Sequence, residues 1–442
     1  MKLKYYLYIV ILSSLFNKVT SGQSNKGDNS TVKTYFKDRL ANAHLENQLI
    51  PSKENKLIGH HEVDNYRRKL WQIWKETLLE VDSLPNSILA NDGDKNLPIH
   101  SWKLIDEDPM PFYYLKKGDE NSQRRSLFIN LHGSGPKQIE FPNTLSWTLK
   151  FKDVPSTYFI PQIPNERRYR WWYKPEQFAW ERLFRLVMID DMIDPNKIYF
   201  MGISEGGYGS QRLAAFYADY LAGAGPMAGG EPLKNAPPLN FRNIAFSLQT
   251  GENDLGFGRN KLTLAAKEEF AKLAKDNKDE FIHNIILQPN KGHGIDYTTT
   301  TPWLIQYNRN PHPKHVSWVH FPMHGRYRKG FYNVAFNIPL AINEEENFDR
   351  AIFDFKYDQN TIYVSAELLD NEMINRKAID KLNISLFLND KYINVNKKVS
   401  ILLNGKLVFN KKLKASVSNI VESIGIYGDS QRIYTYKVVI SN

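Results

Sequence analysis

The residues with the clearest capacity for chemistry lie in the run Gly202-Ile203-Ser204-Glu205-Gly206-Gly207. An apolar stretch at 197–201 precedes the run and a helical pattern at 208–220 follows it, so Ser204 is expected in a sharp turn between a strand and a helix. A serine there becomes a nucleophile only with help. A base must take its proton, an acid must orient that base, and N–H groups must receive the developing oxyanion. For the acid, a strand expected at 244–248 runs into Thr250-Gly251-Glu252-Asn253-Asp254, which places Asp254 in a turn, with Glu252 and Asp296 as alternatives. For the base, a strand at 281–287 runs into Lys291-Gly292-His293-Gly294. A histidine between two glycines can aim its ring at Ser204, and the other histidines lack this setting. The oxyanion donors are expected to be the N–H of Glu205 and that of Gly133 or Ser134. The latter two lie in the loop His132-Gly133-Ser134-Gly135, which follows an apolar run at 126–131. His132 is expected to prop this loop and to take no part as a base.

These groups need a scaffold that brings strand ends together. Short apolar runs at 100–105, 112–115, 126–131, 157–160, 197–201, 221–224, 244–248 and 281–287 alternate with helical patterns, notably at 175–190, 208–220 and 262–275. That rhythm predicts a mostly parallel α/β sheet with the site at the C-terminal ends of its strands. Upstream, Val63, Tyr66, Leu70, Ile73, Trp74, Thr77 and Val81 recur at three- and four-residue steps, predicting a helix over 62–81. The polar stretch 22–31 reads as a mobile leader. Beyond 343 the helical patterns stop. Alternating runs at 362–368, 384–388, 399–403, 406–409 and 433–440, with turn signals Asn404-Gly405 and Gly428-Asp429, predict a small antiparallel β module. The expected organisation is therefore 1–22, 23–97, 98–342 and 343–442: a signal peptide, a leader with a helical extension, a catalytic domain and the β module.

The composition narrows the chemistry further. The 442-residue chain has no cysteine, which excludes thiol nucleophiles, disulfides, iron–sulfur clusters and thiolate metal sites. Its net charge of +10 divides unevenly along the chain. Residues 1–22 carry Lys2, Lys4 and Lys18 with no acid, and residues 376–442 carry twelve Lys and Arg against four acids, so 10 − 3 − 8 leaves −1 for the body. Nucleic acid is not an expected partner, since the site region is not basic. The +8 end suggests at most an anionic surface for the β module. The basic start, the apolar run at 5–16 and Thr20-Ser21-Gly22 read as a signal peptide, and hence as a secreted or periplasmic protein. That apolar run is too short to span a bilayer. His312, His315, His320 and His324 are spaced by three, five and four residues with Pro313 and Pro322 between them and no acid, which departs from a metal-ligand pattern. No phosphate-binding glycine loop is present.

The pieces Met110-Pro111-Phe112-Tyr113-Tyr114-Leu115-Lys116-Lys117-Gly118, Leu131-His132-Gly133-Ser134-Gly135, the Ser204 turn, Gly251-Glu252-Asn253-Asp254 and Gly292-His293-Gly294 occur in chain order. Together they resemble α/β-hydrolase serine esterases of the polyhydroxybutyrate depolymerase, feruloyl esterase and acetylxylan esterase-like group. The stretches from Thr301 to Trp303 and from Pro313 to Trp318 are similar to exported bacterial relatives as well. The resemblance covers residues 108–440. It implies an α/β-hydrolase fold and a secreted enzyme cleaving carboxylic esters, carbohydrate-linked acetyl or feruloyl esters among them, through a Ser204–His293–Asp254 triad and an acyl-enzyme, without a metal or organic cofactor. The cysteines common in secreted depolymerases are missing here. A prolyl oligopeptidase-like peptidase on the same fold and an inert carbohydrate-binding protein are the alternatives. Trp171, Trp172 and Tyr173, with Trp303, are the aromatic candidates for substrate contact, and Arg167, Arg168 and Arg170 could meet a carboxylate.

Overall fold

The computed structural model describes residues 24–43, 56–94, 96–119, 124–167, 170–340, 342 and 347–441. The proposed signal segment and Arg168 lie outside them. Nine strands form the principal sheet: β1 (Ile88–Leu89), β2 (His100–Trp102), β3 (Met110–Lys117), β4 (Arg125–Leu131), β5 (Ser156–Pro161), β6 (Ile193–Ile203), β7 (Gly223–Met227), β8 (Ala245–Gly251) and β9 (His283–Gln288). Their order is β1-β3-β5-β4-β6-β7-β8-β9, with β2 on β3. From β5 across to β9 every pairing is parallel. Only β3 runs against its neighbours β2 and β5. Strands β4, β5, β7 and β8 are buried along their whole length because helices cover both faces of the sheet, and the middle of β4, Leu127–Ile129, is accordingly apolar at every position.

The helices are α1 (Ser24–Ala41), α2 (Val63–Leu79), α3 (Lys137–Lys150), α4 (Lys174–Val187), α5 (Glu205–Tyr217), α6 (Arg259–Lys275), α7 (Thr300–Leu304) and α8 (Val417–Tyr427). Two of these depart from the sequence reading. The expected mobile leader is helical from Ser24, and α1 is seated further along by Val32 and by Phe36, whose ring meets Trp74 of α2 edge-on at 5.1 Å. The anchoring residues lie past the polar stretch that suggested mobility. Within the expected all-β end, α8 is closed at its start by Ser416, whose hydroxyl accepts from Asn419 N–H, and at its end by Gly428 in the left-handed region. Gly428-Asp429 is thus a helix cap and not a hairpin turn. Asn404-Gly405 does turn a hairpin, with both residues at positive φ.

The domain limits also shift. β1 precedes residue 98 yet pairs with β3, so the main sheet begins at Ile88. At the other limit, β10 (His315–His320) pairs along its length with β13 (Arg350–Asp358), and β13 joins β14 (Thr361–Leu369), β15 (Arg376–Ala378), β17 (Val399–Leu403) and β18 (Lys406–Lys411) in one sheet. A second sheet joins β11 (Gly330–Phe331) and β12 (Val334–Phe336) to β16 (Asn383–Leu388) and β19 (Tyr436–Ser441). A boundary at 343 would cut both sheets. Helical periodicity ends there, but periodicity carries no record of long-range strand pairing. All pairings in this unit are antiparallel except β14 with β17.

A buried ionic network fastens this unit to the main domain. Arg432 bridges Asp219, which follows α5, at 2.5 Å and Asp429 at 2.7 Å. Arg309 pairs with Asp429 at 2.7 Å and Arg328 with Asp219 at 3.0 Å. Burial alone would push the Asp429 carboxyl up, but Arg309 and Arg432 hold it well below the ordinary aspartate range. Its contribution to stability is therefore fully present above that range and lost progressively as pH falls below it towards the lowered folded value. Asp219→Asn leaves Arg432 and Arg328 buried and short of charge, so urea unfolding should show a loss of about 3–5 kcal/mol. A loss below about 1 kcal/mol would mean that the network does not hold the two units together.

Candidate active site

β4 and β6 are adjacent, parallel and in register at Leu131 and Gly202, so the loop after one and the turn after the other leave the sheet at the same level. The turn holds Ser204 at φ 56, ψ −115, outside the regions an ordinary residue occupies. It closes only because its flanking residues lack side chains. A Cβ on Gly202 would lie 2.5 Å from the backbone of Gly206, and one on Gly206 would lie 2.0 Å from Leu131 O. Ser204 N–H donates to Met227 O on β7 at 2.9 Å, and helix α5 starts at Glu205. The Glu205 N–H is therefore among the first N–H groups of α5, which have no acceptor within the helix.

His132 fixes the neighbouring loop. Its Nε2 accepts from Ile163 N–H at 2.9 Å, so the ring proton is on Nδ1 and is donated to Gly133 O at 2.7 Å. Burial lowers its pKa to about 4, with the bond to Gly133 O opposing. Trp171 Nε1–H donates to His132 O at 3.2 Å from above. Gly133 approaches Ser204 closely enough that a Cβ there would lie 3.5 Å from Ser204 Cβ.

Three side chains from three strand ends then form a chain. His293, beyond β9, lies with Nε2 3.0 Å from Ser204 Oγ and Nδ1 2.8 Å from Asp254 Oδ2. The carboxylate can only accept, so Nδ1 carries the proton and Nε2 presents its lone pair to the serine hydroxyl. Asp254 is 3 % exposed, whereas the His293 ring is 46 % exposed. The two alternative acids are engaged elsewhere: Glu252 accepts from Asn290 N–H and Asp296 from Thr298 N–H. Sequence reasoning missed Arg259, which opens α6 and donates from Nη1 to Asp254 Oδ1 at 2.7 Å. The signal available was an arginine five residues past the acid, just ahead of the helical pattern at 262–275.

Ser204 lies in an open cleft of about 560 Å³ whose lining includes Ser134, Trp172, Tyr208, Arg212 and Phe257. Of the aromatic candidates only Trp172 is there, with the Arg212 guanidinium 4.0 Å over its ring. Trp171 is fully buried against His132 and α5, where a Cβ on Gly209 would come within 2.7 Å of it. Its role is to pack the loop, because its indole faces inward. Tyr173 stacks on His324 at 3.8 Å, and Trp303 packs on Tyr307 at 4.6 Å. Neither lines the cleft. Phe257, 86 % exposed on its rim, was not foreseen, since one phenylalanine in a glycine-flanked turn has no periodicity to mark it. Arg167 and Arg170 border the same cleft, and Arg170 is tied at 3.0 Å to Glu205. Burial raises the Glu205 carboxyl, and Arg170 only partly offsets this. The four histidines at 312–324 take separate local partners: His312 meets Asn389, His315 meets Asp354, His320 packs on Trp318 and His324 meets Tyr173.

No family model matches the chain. A 76-residue stretch is 37 % identical to poly(3-hydroxyalkanoate) depolymerase C of Paucimonas lemoignei, covering 15 % of this chain and 18 % of that enzyme. Among solved structures, a thermostable esterase superposes with a TM-score of 0.36 at 18 % identity, over 48 % of this chain and 63 % of that one. Est1E from Butyrivibrio proteoclasticus gives 0.33 at 13 % over 47 % and 96 %, and the BES protein from Bacillus cereus gives 0.36 at 13 % over 51 % and 98 %.

Because His132 is held neutral in the fold, the unfolded chain takes up a proton near pH 6.5 that the folded chain refuses down to about pH 4. Between those values stability should fall as pH falls. His312 and His320, lowered by burial to about 4 and about 3, act in the same direction. Thermal melts from pH 7 to pH 4 should show a declining Tm, with a shallower decline in His132→Asn. An unchanged slope in that variant would mean that His132 is not buried neutral.

The strand order, the glycine-flanked turn at Ser204 and the chain order serine, aspartate, histidine give this protein the α/β-hydrolase fold.

Proposed function

We propose that the protein is a secreted serine hydrolase that cleaves carboxylic esters, carbohydrate-linked acetyl or feruloyl esters being the favoured substrates. The observation that carries this reading is the continuous chain from Ser204 Oγ through His293 to Asp254 at 3.0 and 2.8 Å. In this mechanism Ser204 Oγ attacks the ester carbonyl carbon as its proton passes to His293 Nε2. The Glu205 N–H, together with that of Gly133 or Ser134, receives the oxyanion. His293 then returns the proton to the leaving alkoxide, which departs as the alcohol, and Ser204 is left acylated. Water, deprotonated by His293 in turn, releases the acid. Asp254 keeps the imidazole in the competent tautomer and stabilises the imidazolium. Arg259, through Asp254 Oδ1, is assigned the task of holding that carboxylate in place. Trp172 and Phe257 offer flat apolar faces for a sugar ring or an aromatic acyl group.

Ser204→Ala should lower turnover of p-nitrophenyl acetate by about 10⁴-fold or more with an unchanged Tm, and Asp254→Asn by about 10³–10⁴-fold. Wild-type rates in Ser204→Ala would refute the nucleophile. A panel of acetylated sugars, feruloylated sugars, short acyl esters and peptide amides tests the substrate. The expected order places the sugar esters first by kcat/KM, and Phe257→Ala should raise KM on them about tenfold with little change in kcat. Preferential cleavage of the amides would replace the esterase reading with a peptidase.

A further inference from the structure

Away from the cleft, where α1, α2 and α4 meet the C-terminal unit, a cavity of about 80 Å³ is walled by Arg39, Arg185, Arg326 and Arg328, with Glu181 and Trp74 also in its lining. Two of these arginines are committed: Arg326 pairs with Glu181 at 2.7 Å and Arg328 with Asp219 at 3.0 Å. Arg39 and Arg185 have no ion-pair partner among the described residues, and Glu181, the one acid in the lining, is already engaged by Arg326. Lys329 adds a further cation to the wall. Burial disfavours the charge on Arg185, an effect that Glu181 opposes, yet a guanidinium does not give up its proton in a protein.

A second observation concerns hydrogen bonding. Trp74, 1 % exposed, has its indole Nε1 buried without an acceptor, and the Nε atoms of Arg39 and Arg326 are in the same state among the described residues. All three groups can only donate. A wall rich in cations and in donors without acceptors is costly when empty. Water could accept from the donors but would leave the excess positive charge in place. A compact anion with several acceptor oxygens answers both, and the volume admits one such ion.

We propose that this cavity binds one small oxyanion of the sulfate or phosphate class, held by Arg39, Arg185 and the Trp74 indole N–H, and that the ion pins α1 and α2 to the rest of the fold. Arg39 comes from α1, Trp74 from α2 and Arg185 from α4, so a single ion would tie three helices that are far apart in sequence.

The test is thermal unfolding of the full chain after exhaustive dialysis, in sodium sulfate, sodium phosphate or sodium chloride at matched ionic strength and pH 7. Sulfate, phosphate or both should raise Tm by about 2 °C or more over chloride at millimolar concentration. That difference should vanish in Arg185→Gln and shrink in Trp74→Phe, which keeps an aromatic ring and removes the N–H. Equal Tm values in all three salts would overturn the proposal. So would an equal rise in Arg185→Gln, because sulfate and phosphate also stabilise proteins by exclusion from the surface. If Arg185→Gln does not fold, Arg39→Gln takes its place with the same two readings.

Discussion

The geometry of the site depends on one crowded crossing of backbones. Where β6 turns into α5, the chain passes so close to the end of β4 that residues 202 and 206 have no room for a Cβ, and only there can Ser204 adopt its positive φ. Such a conformation costs on the order of 1–3 kcal/mol and persists because the surrounding sheet over-determines it. The strain has a use. It sets the Ser204 side chain at the turn between strand and helix and brings the start of α5 to the cleft, so that the Ser204 hydroxyl and the Glu205 N–H emerge from consecutive residues. His132 completes the arrangement from the neighbouring strand by locking the adjoining loop through both ring nitrogens.

Much of this was legible in the sequence, and what was legible shares a cause. The Ser204 turn, the His132–Gly135 loop and the glycine-flanked His293 are each fixed by local backbone demands, and local demands leave local signatures. Asp254 could be set above Glu252 and Asp296 only provisionally, because which carboxylate meets a histidine 39 positions away is decided by how β8 and β9 pair. Arg259 and Phe257 escaped notice for a related reason. Their importance comes from facing the site, and neither lies in a repeating pattern. Trp171 was overvalued because an aromatic run near a site looks the same whether the rings face the cleft or the core.

The C-terminal unit shows the complementary limit. Five of its strands and its Asn404-Gly405 hairpin are legible in the sequence, but β13 and β15 are not, and neither is its extent, since β10 to β12 precede the expected boundary and pair with strands beyond it. The chain's basic end also changes meaning in the fold. Arg432, counted among the cations of that end, is fully buried between Asp219 and Asp429 and serves to hold two units together. It has no part in any outer electrostatic surface. The remaining lysines of that end are mostly exposed, which leaves the net charge a property of the outer surface.

The proposed hydrolysis depends on activation of Ser204 by His293. The most direct measurement is labelling of the native protein with a fluorophosphonate, followed by peptide mass spectrometry. A single adduct is expected, on Ser204, formed in the wild type and lost in His293→Ala. An adduct on another serine, or continued ester turnover by protein that never labels at Ser204, would contradict it.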